Sequence, residues 1–417
     1  MTYSRGRLIT DLQDLQQSAS RCVLLYSGGL DSSYFLTWAI ERGLSIVALK
    51  VDVGGSGPGQ RASDELAGHL GITIDEIDAT AEFATDFIGP AIRANGLHQG
   101  IYPISSSLSR PLLAKLAVQT ATAVGADCVV HTAEIHQNSF ARFNTSLRAL
   151  APDLLIAAPF LEDHRSRQHK LDALAELADA EREIYSIDAN LWARVIENGE
   201  LDDVRTTVPD HVFTWTVNPA EAPRETTYVT LRFEEGIPVG LDDDRLPLAE
   251  TVTRLNLAAG RYGIGRFNGV EGTRFGLKNH EVREAPAAAV ILGAHRHLEQ
   301  LVLTDRELRM KALVDHEWIE LAVLGGWYTG HHIALDAYES TISKFVVGEV
   351  TVALRPGCAS VTAVDSPNGL QEYGNPVSIV GAGGLNLARA FELDTVDLTV
   401  RGDSLVSLRK ETYDKYH

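Results

Sequence analysis

Ser27-Gly28-Gly29-Leu30-Asp31-Ser32-Ser33 gathers two glycines, three hydroxyls and one carboxylate in consecutive positions. The glycines let backbone N–H groups close on an anion, and a helix starting behind them favours negative charge at its first turn. Ser27, Ser32 and Ser33 add hydroxyl donors around the same point. The chemistry is that of a phosphate cradle, although the Gly-Lys-Ser/Thr of the Walker loop occurs nowhere in the chain. An ordinary glycine turn is the rival reading.

The cradle needs a strand before it and a helix after it. Cys22 to Leu25 is an apolar run that reads as a buried strand, and Tyr34 to Glu41 reads as helix. Strand and helix patterns then alternate: strand Ser45 to Val53, the glycine-rich and expectedly mobile loop Gly54 to Gly59, helix Arg61 to Leu70, strand Thr73 to Ile77, helix Glu82 to Ala94. The serine-rich turn Ser105-Ser106-Ser107 introduces a helix from Arg110 to Val124, and strands follow at Cys128 to Thr132 and Leu154 to Pro159. Such alternation predicts a parallel sheet covered on both faces, with ligands at the carboxyl ends of its strands.

Beyond about Arg182 the pattern becomes α+β. A hairpin is expected from Tyr228 to Phe233 and Ile237 to Leu241, with helices at Leu248 to Arg261, Pro286 to Leu301, Thr304 to Leu324 and Ala334 to Phe345, and strands at Gly348 to Leu354 and Ser360 to Val364. The expected division is a leading helix at 1–20, a nucleotide domain at 21–181, a second domain at 182–366 and a tail at 367–417. Leu8, Leu12 and Leu15 share one face of the leading helix. In the tail, Gly381 to Gly384 reads as a loop and Val396 to Arg401 as a strand.

Composition narrows the function classes. A formal net charge of −19 argues against nucleic acid as a partner. No apolar run approaches the ~20 residues of a membrane helix, and the N-terminus has no secretory h-region. The three cysteines, Cys22, Cys128 and Cys358, are too few for a disulfide framework, so the expectation is a cytoplasmic protein. His295 and His297 point to different sides of a helix, and the adjacent His331 and His332 fail in the same way, so neither pair makes a metal site.

The Ser-Gly-Gly-X-Asp-Ser pattern resembles the pyrophosphate loop of the ATP pyrophosphatases. More of the chain is similar to argininosuccinate synthase, from about Cys22 to Val364. The resemblance is carried by Tyr26 to Ser33, Ser107 to Lys115, Ser186 to Trp192, Trp215 to Pro219, Gly263 to Arg266, Val270-Glu271 and Glu284 to Ala287. It implies a pyrophosphate-loop ATP-binding domain followed by an α+β synthetase domain, a C-terminal oligomerisation tail, ATP and Mg²⁺ as cofactors, and a homotetramer. The implied reaction adenylates a citrulline-like acceptor and displaces AMP with an amine. The implied nucleotide residues are Tyr26, Ser27, Gly28, Gly29, Leu30, Asp31, Ser32 and Ser33 with Val51 and Thr132, and those closest to the chemistry are Asp31, Ser32 and Arg142. On the substrate side it implies Tyr102, Ser107, Glu134, Asn138, Ser139, Arg142, Ser186, Val195, Glu271 and Arg283. A guanidinium and hydroxyls suit a carboxylate, and a glutamate suits an ammonium.

The chain departs from the family in two places. Val195 and Arg283 stand where the family has serine and tyrosine, so a hydroxyl is lost and a permanent cation gained. From His131 to Asn144 the frame is kept by His131, Asn138, Arg142 and Phe143, but three glycines are lost. His136 replaces a lysine, and Glu134 and Ser139 replace the threonine and aspartate that hold the amine substrate. A ligase with altered substrates is the leading expectation. An ordinary argininosuccinate synthase, a non-catalytic ATP-binding paralogue and an RNA-modifying pyrophosphatase are the alternatives.

Overall fold

The computed structural model describes residues 6–55, 66–163, 165–174, 185–272 and 276–370. The tail from residue 371, with the expected Gly381 loop and Val396 strand, lies outside the described residues. So do most of the glycine-rich loop and the first half of the Arg61 helix.

Six strands form one parallel sheet: β1 (Leu8–Ile9), β2 (Arg21–Leu25), β3 (Ser45–Asp52), β4 (Ile74–Asp78), β7 (Cys128–Val130) and β8 (Leu155–Ala157), in the order β1-β8-β7-β2-β3-β4. Short strands β5 (Leu97–His98) and β6 (Tyr102–Pro103) pair separately. The sheet is buried on both faces because successive residues of β2 feed opposite cores. Cys22 and Leu24 pack with Phe35, Leu36 and Leu12 on one side, and Val23 and Leu25 with Ala117, Phe143 and Leu147 on the other.

The leading segment differs from expectation. Leu8 and Ile9 form an edge strand paired with Ile156 and Ala157, and only Leu12–Ser18 (α1) is helical. Asp11 ends the extended stretch by accepting the amide of Asp14 at 2.8 Å, so the helix cannot begin at Leu8.

From β2 the chain enters α2 (Leu30–Glu41), β3 and β4 on one side of the sheet. A helical run from Thr80–Phe83 (α3) through Gly89–Arg93 (α4) and a long helix, Ser106–Val124 (α5), then return it to β7 on the other side of β2. The reversal of strand order falls between β2 and β7, where sheets of this kind hold ligands. Helices α6 (Asn138–Leu150) and α7 (Arg167–Leu174) complete this part.

Two antiparallel sheets build the described part of the second half. The expected hairpin, β11 (Thr227–Glu234) and β12 (Ile237–Leu241), joins β13 (Asp244–Arg245), β16 (Gly348–Arg355) and β17 (Cys358–Asp365) in a five-stranded sheet. It packs against α8 (Leu248–Gly260), α9 (Pro286–Val302), α10 (Asp305–Val323) and α11 (Gly330–Ile342) through Leu231, Phe233, Leu255, Ile291 and Trp318.

The other sheet, four-stranded in the order β14-β15-β10-β9, is absent from the sequence reading. Its strands are β9 (Ser186–Ala189), β10 (Arg194–Glu197), β14 (Arg266–Gly272) and β15 (Lys278–Glu284). One face is apolar, with Ile187, Ile196 and Val282 over Leu201 and Val212. Glu284 at the end of β15 is fully buried and accepts from Arg194, from the amides of Thr214, Trp215 and Thr216, and from the Thr216 hydroxyl. The Trp215 to Pro219 block is thus fastened to this sheet.

Candidate active site

The loop after β2 has the form its sequence predicts. Tyr26 continues the ladder by donating its amide to Leu49 at 2.8 Å. Gly28 then takes φ of 75°, open to glycine but strained for other residues, and Gly29 precedes α2 with no side chain capping the helix. The hydroxyls converge: Ser27 and Ser32 lie 3.1 Å apart, Ser32 donates to the Gly29 carbonyl at 3.0 Å, and Tyr26 and Ser33 are 3.3 Å apart. Asp31, in the first turn of α2, binds the Lys170 ammonium at 2.6 Å. Val51 lies near the carboxyl end of β3 and Thr132 just past that of β7, the strands flanking β2, so these nucleotide candidates occupy one rim of the sheet.

The acceptor candidates come together on the polar face of the four-stranded sheet. Residues directly opposite in an antiparallel pair share a face. The register places Val195 opposite both Asp188 and Arg283, Ser186 opposite Glu197, and Glu271 opposite Asn279. Ser186, Val195, Glu271 and Arg283 therefore point the same way, with Glu281 and Glu197. Arg142 on α6 meets this face, with Nη2 3.3 Å from Glu271, while Nε donates to the Val323 carbonyl and Nη1 to the Ser106 hydroxyl. Ser107, next to Ser106 in the first turn of α5, is buried beside this anchor.

Arg283 lies 3.8 Å over the Tyr102 ring, contacts Glu281 and stands 3.6 Å from Glu271. Tyr102 is in turn seated on bare backbone, because a Cβ at Gly269 would come within 2.5 Å of its ring. Among the described residues, the buried Tyr102 hydroxyl and Arg283 Nε have no hydrogen-bond partner. Orphaned donors of this kind mark where a polar ligand group would be satisfied. Ser186 stands apart, exposed at the end of the face, its hydroxyl accepting from Asn198 at 2.6 Å.

Charge in this pocket is unequal. Burial alone would raise the Glu271 carboxyl, but Arg142, a hydrogen bond from Glu281 and Arg283 outweigh it and hold it down at about 2. Burial pushes Glu281 up to about 8, with Arg283 opposing and the Glu271 charge reinforcing the rise. The pair acts as one carboxylate and one carboxylic acid near neutral pH, held between two guanidinium groups.

The rewritten loop is a solvent-facing turn before α6. Glu134 donates its amide to the Gln137 side chain at 3.1 Å, and its carboxylate lies 3.4 Å from exposed His136. Asn138 donates to the Gly272 carbonyl at 3.1 Å. Ser139 accepts from Arg110 Nε at 3.3 Å, while the other nitrogens of Arg110 grip Asp188 down to 2.8 Å.

Residue-by-residue reading passed over several of these groups. Arg110 lies within the Ser107 to Lys115 block, but nothing in the sequence joins it to Asp188 and Ser139. Glu281 and Gly269 lay in strands that were not recognised. Lys170 gave no signal, since it sits in a charged helical run.

A glycine turn at the switch point of a parallel sheet, in a chain that also carries a charged pocket on an antiparallel one, fits a nucleotide-binding α/β domain followed by a synthetase domain. Comparison with known proteins agrees. The arginosuccinate synthase N-terminal HUP domain profile matches residues 21–178 and the arginosuccinate synthase C-terminal domain profile residues 185–379. An argininosuccinate synthase of Pyrobaculum aerophilum is 38% identical over 356 residues, covering 84% of this chain and 90% of the relative. One from Rubrobacter xylanophilus is 40% identical over 357 residues, covering 84% and 87%. The chain belongs to the argininosuccinate synthase family, ATP-dependent ligases that form a carbon–nitrogen bond.

Proposed function

We propose that this protein is an AMP- and pyrophosphate-forming ligase that adenylates a citrulline-like amino-acid acceptor and condenses it with an amine, with a substrate choice shifted from citrulline and aspartate. The observation that carries the reading is the continuity of the two sites. The segment from Thr132, at the nucleotide rim, runs into α6 and delivers Arg142 to Glu271 on the acceptor face.

In this mechanism the loop from Ser27 to Ser33 holds the β and γ phosphates, with Asp31 and Ser32 nearest the bond that breaks. The acceptor's oxygen attacks the α phosphorus, the α–β bridging oxygen leaves with pyrophosphate, and the amine then displaces AMP from the activated carbon and loses a proton. No side-chain nucleophile is required, because positioning and charge stabilisation do the work. Arg142, Tyr102, Ser107 and Glu271 orient the acceptor. Mg²⁺ commonly takes one or two carboxylates plus substrate phosphates. Lys170 holds Oδ1 of Asp31, so Oδ2 of Asp31 with the Ser27 and Ser32 hydroxyls would be the donors for the ion, which would supply positive charge to the departing pyrophosphate.

The change of substrate rests on Arg283, Val195 and the loop. Arg283 and Val195 are cross-strand neighbours, so a hydroxyl is lost and a cation gained at one spot of the pocket. On the amine side Glu134 presents negative charge, and Arg110 reaches Ser139 where an ammonium would need an anion. The test is pyrophosphate release from ATP over a panel of acceptors, with and without amines. Acceptor-dependent release that ignores aspartate supports the reading, and no release with any pair overturns it.

A further inference from the structure

Lys170 is a lysine with 4% of its surface exposed, held in the short helix α7 and aimed across at α2. Its Nζ lies 2.6 Å from Asp31 Oδ1 and 4.6 Å from the centroid of the Phe160 ring. Its neighbours fix this arrangement: Tyr34 of α2 lies 5.9 Å from Phe160 and bonds the adjacent His169 at 3.2 Å. Asp31, by contrast, keeps a third of its side chain exposed.

The loop's own side chains carry one charge, the Asp31 carboxylate, which repels a phosphate chain approaching the same helix end. A buried ammonium on that carboxylate brings the local sum to zero and leaves the N–H and hydroxyl donors to act on the anion. An ammonium is also a compact, rotatable triple donor that can serve a carboxylate and a phosphate together. Among the described residues, Lys170 is the one basic side chain with an ion pair to this loop.

We infer that Lys170 is a positioning residue for the pyrophosphate half of ATP. It neutralises Asp31 in the open loop and shares its ammonium with the β and γ phosphates when nucleotide binds. The inference rests on the reading of Ser27 to Ser33 as the phosphate loop.

Calorimetric titration of the full chain with ATP, AMP and inorganic pyrophosphate tests it. Lys170→Met is expected to weaken ATP and pyrophosphate at least tenfold and to leave AMP within twofold, and Lys170→Arg to regain most of the loss. The AMP titration reports whether the variant is folded at the site, and Lys170→Gln substitutes if the methionine variant does not fold. Unchanged pyrophosphate affinity, or a parallel loss of AMP in both the methionine and the glutamine variant, overturns the inference and leaves Lys170 a tie between helices. Wild-type protein that binds AMP but neither ATP nor pyrophosphate instead overturns the loop reading, and this inference with it.

Discussion

Gly28 and Glu281 are single residues whose backbone angle and burial lend themselves to a direct test. Valine at position 28 would have to adopt φ of 75°, which costs on the order of 1–3 kcal/mol, and would turn the N–H groups away from the phosphates. Gly28→Val is therefore expected to lower pyrophosphate release about a hundredfold or more, the scale of a lost anion-stabilising donor. Release within a fewfold of wild type would remove the loop from the mechanism.

Glu281 has the opposite sign from an ordinary salt-bridged carboxylate, since burial raises it to about 8. Between the unfolded value near 4.5 and about 8, the folded chain keeps a proton that the unfolded chain has released. This group's contribution to stability therefore falls as pH rises through that window, by up to about 1.4 kcal/mol per pH unit. Glu281→Gln should flatten the decline in denaturant midpoint between pH 6 and pH 8. An identical slope in both proteins would contradict the assignment.

The elements differ in how much of them the sequence discloses. The parallel sheet was legible because its strands are apolar runs spaced by helices, and the hairpin and the helices after Leu248 were legible from their periodicity. The edge strand at Leu8 was not, because two residues carry no period. The four-stranded sheet was missed for a more informative reason. Lys278–Glu284 reads Lys-Asn-His-Glu-Val-Arg-Glu, a charged stretch, yet from His280 onward it is buried, because its polar groups are paired on both faces. Glu281 pairs with Arg283 in the pocket, and His280 and Glu284 pair with Leu201, Asn268, Arg194 and the Thr214–Thr216 segment on the other face. Sequence patterning counts such a strand as surface, so the wall holding Glu271 and Arg283 was visible only as residues taken from a family resemblance.

The rewritten loop belongs to the same scale. Its Glu134–Gln137 turn faces solvent, and α6 begins directly behind it, so its residues can change without disturbing the core. Citrulline and aspartate together are expected to give argininosuccinate with kcat/KM below ~10⁴ M⁻¹s⁻¹, the low end for ordinary enzymes. A value at or above that would make the loop a compensated variant of the aspartate site.

At the scale of the whole molecule, the described surface leaves large apolar side chains in water. Met310 is 50% and Leu313 69% exposed on neighbouring turns of α10, and Leu324 is 64% exposed just past its end. Rows of this kind mark contact surfaces. We expect a homo-oligomer, a tetramer by resemblance to the family, and light scattering at micromolar concentration should give about four times the chain mass of 45.3 kDa. A monomeric mass would refute it. No described helix is long and apolar enough to cross a membrane.

The two sulfurs at the middle of the parallel sheet make the protein its own gauge of opening. Cys22 and Cys128 are partners on β2 and β7, both buried, and a hydrogen bond with Cys22, followed by burial, pushes the Cys128 thiol well up. Neither can meet a maleimide until those strands part, whereas Cys358 is exposed. Mass spectrometry should count one tag per native chain and three in denaturant, matching the three cysteines. Rapid tagging of all three in the native protein would place the strands elsewhere. Because β2 leads straight into the proposed phosphate loop, the rate at which the inner pair is tagged should fall when ATP is added, so that chemistry at the sheet's centre times the grip at its rim.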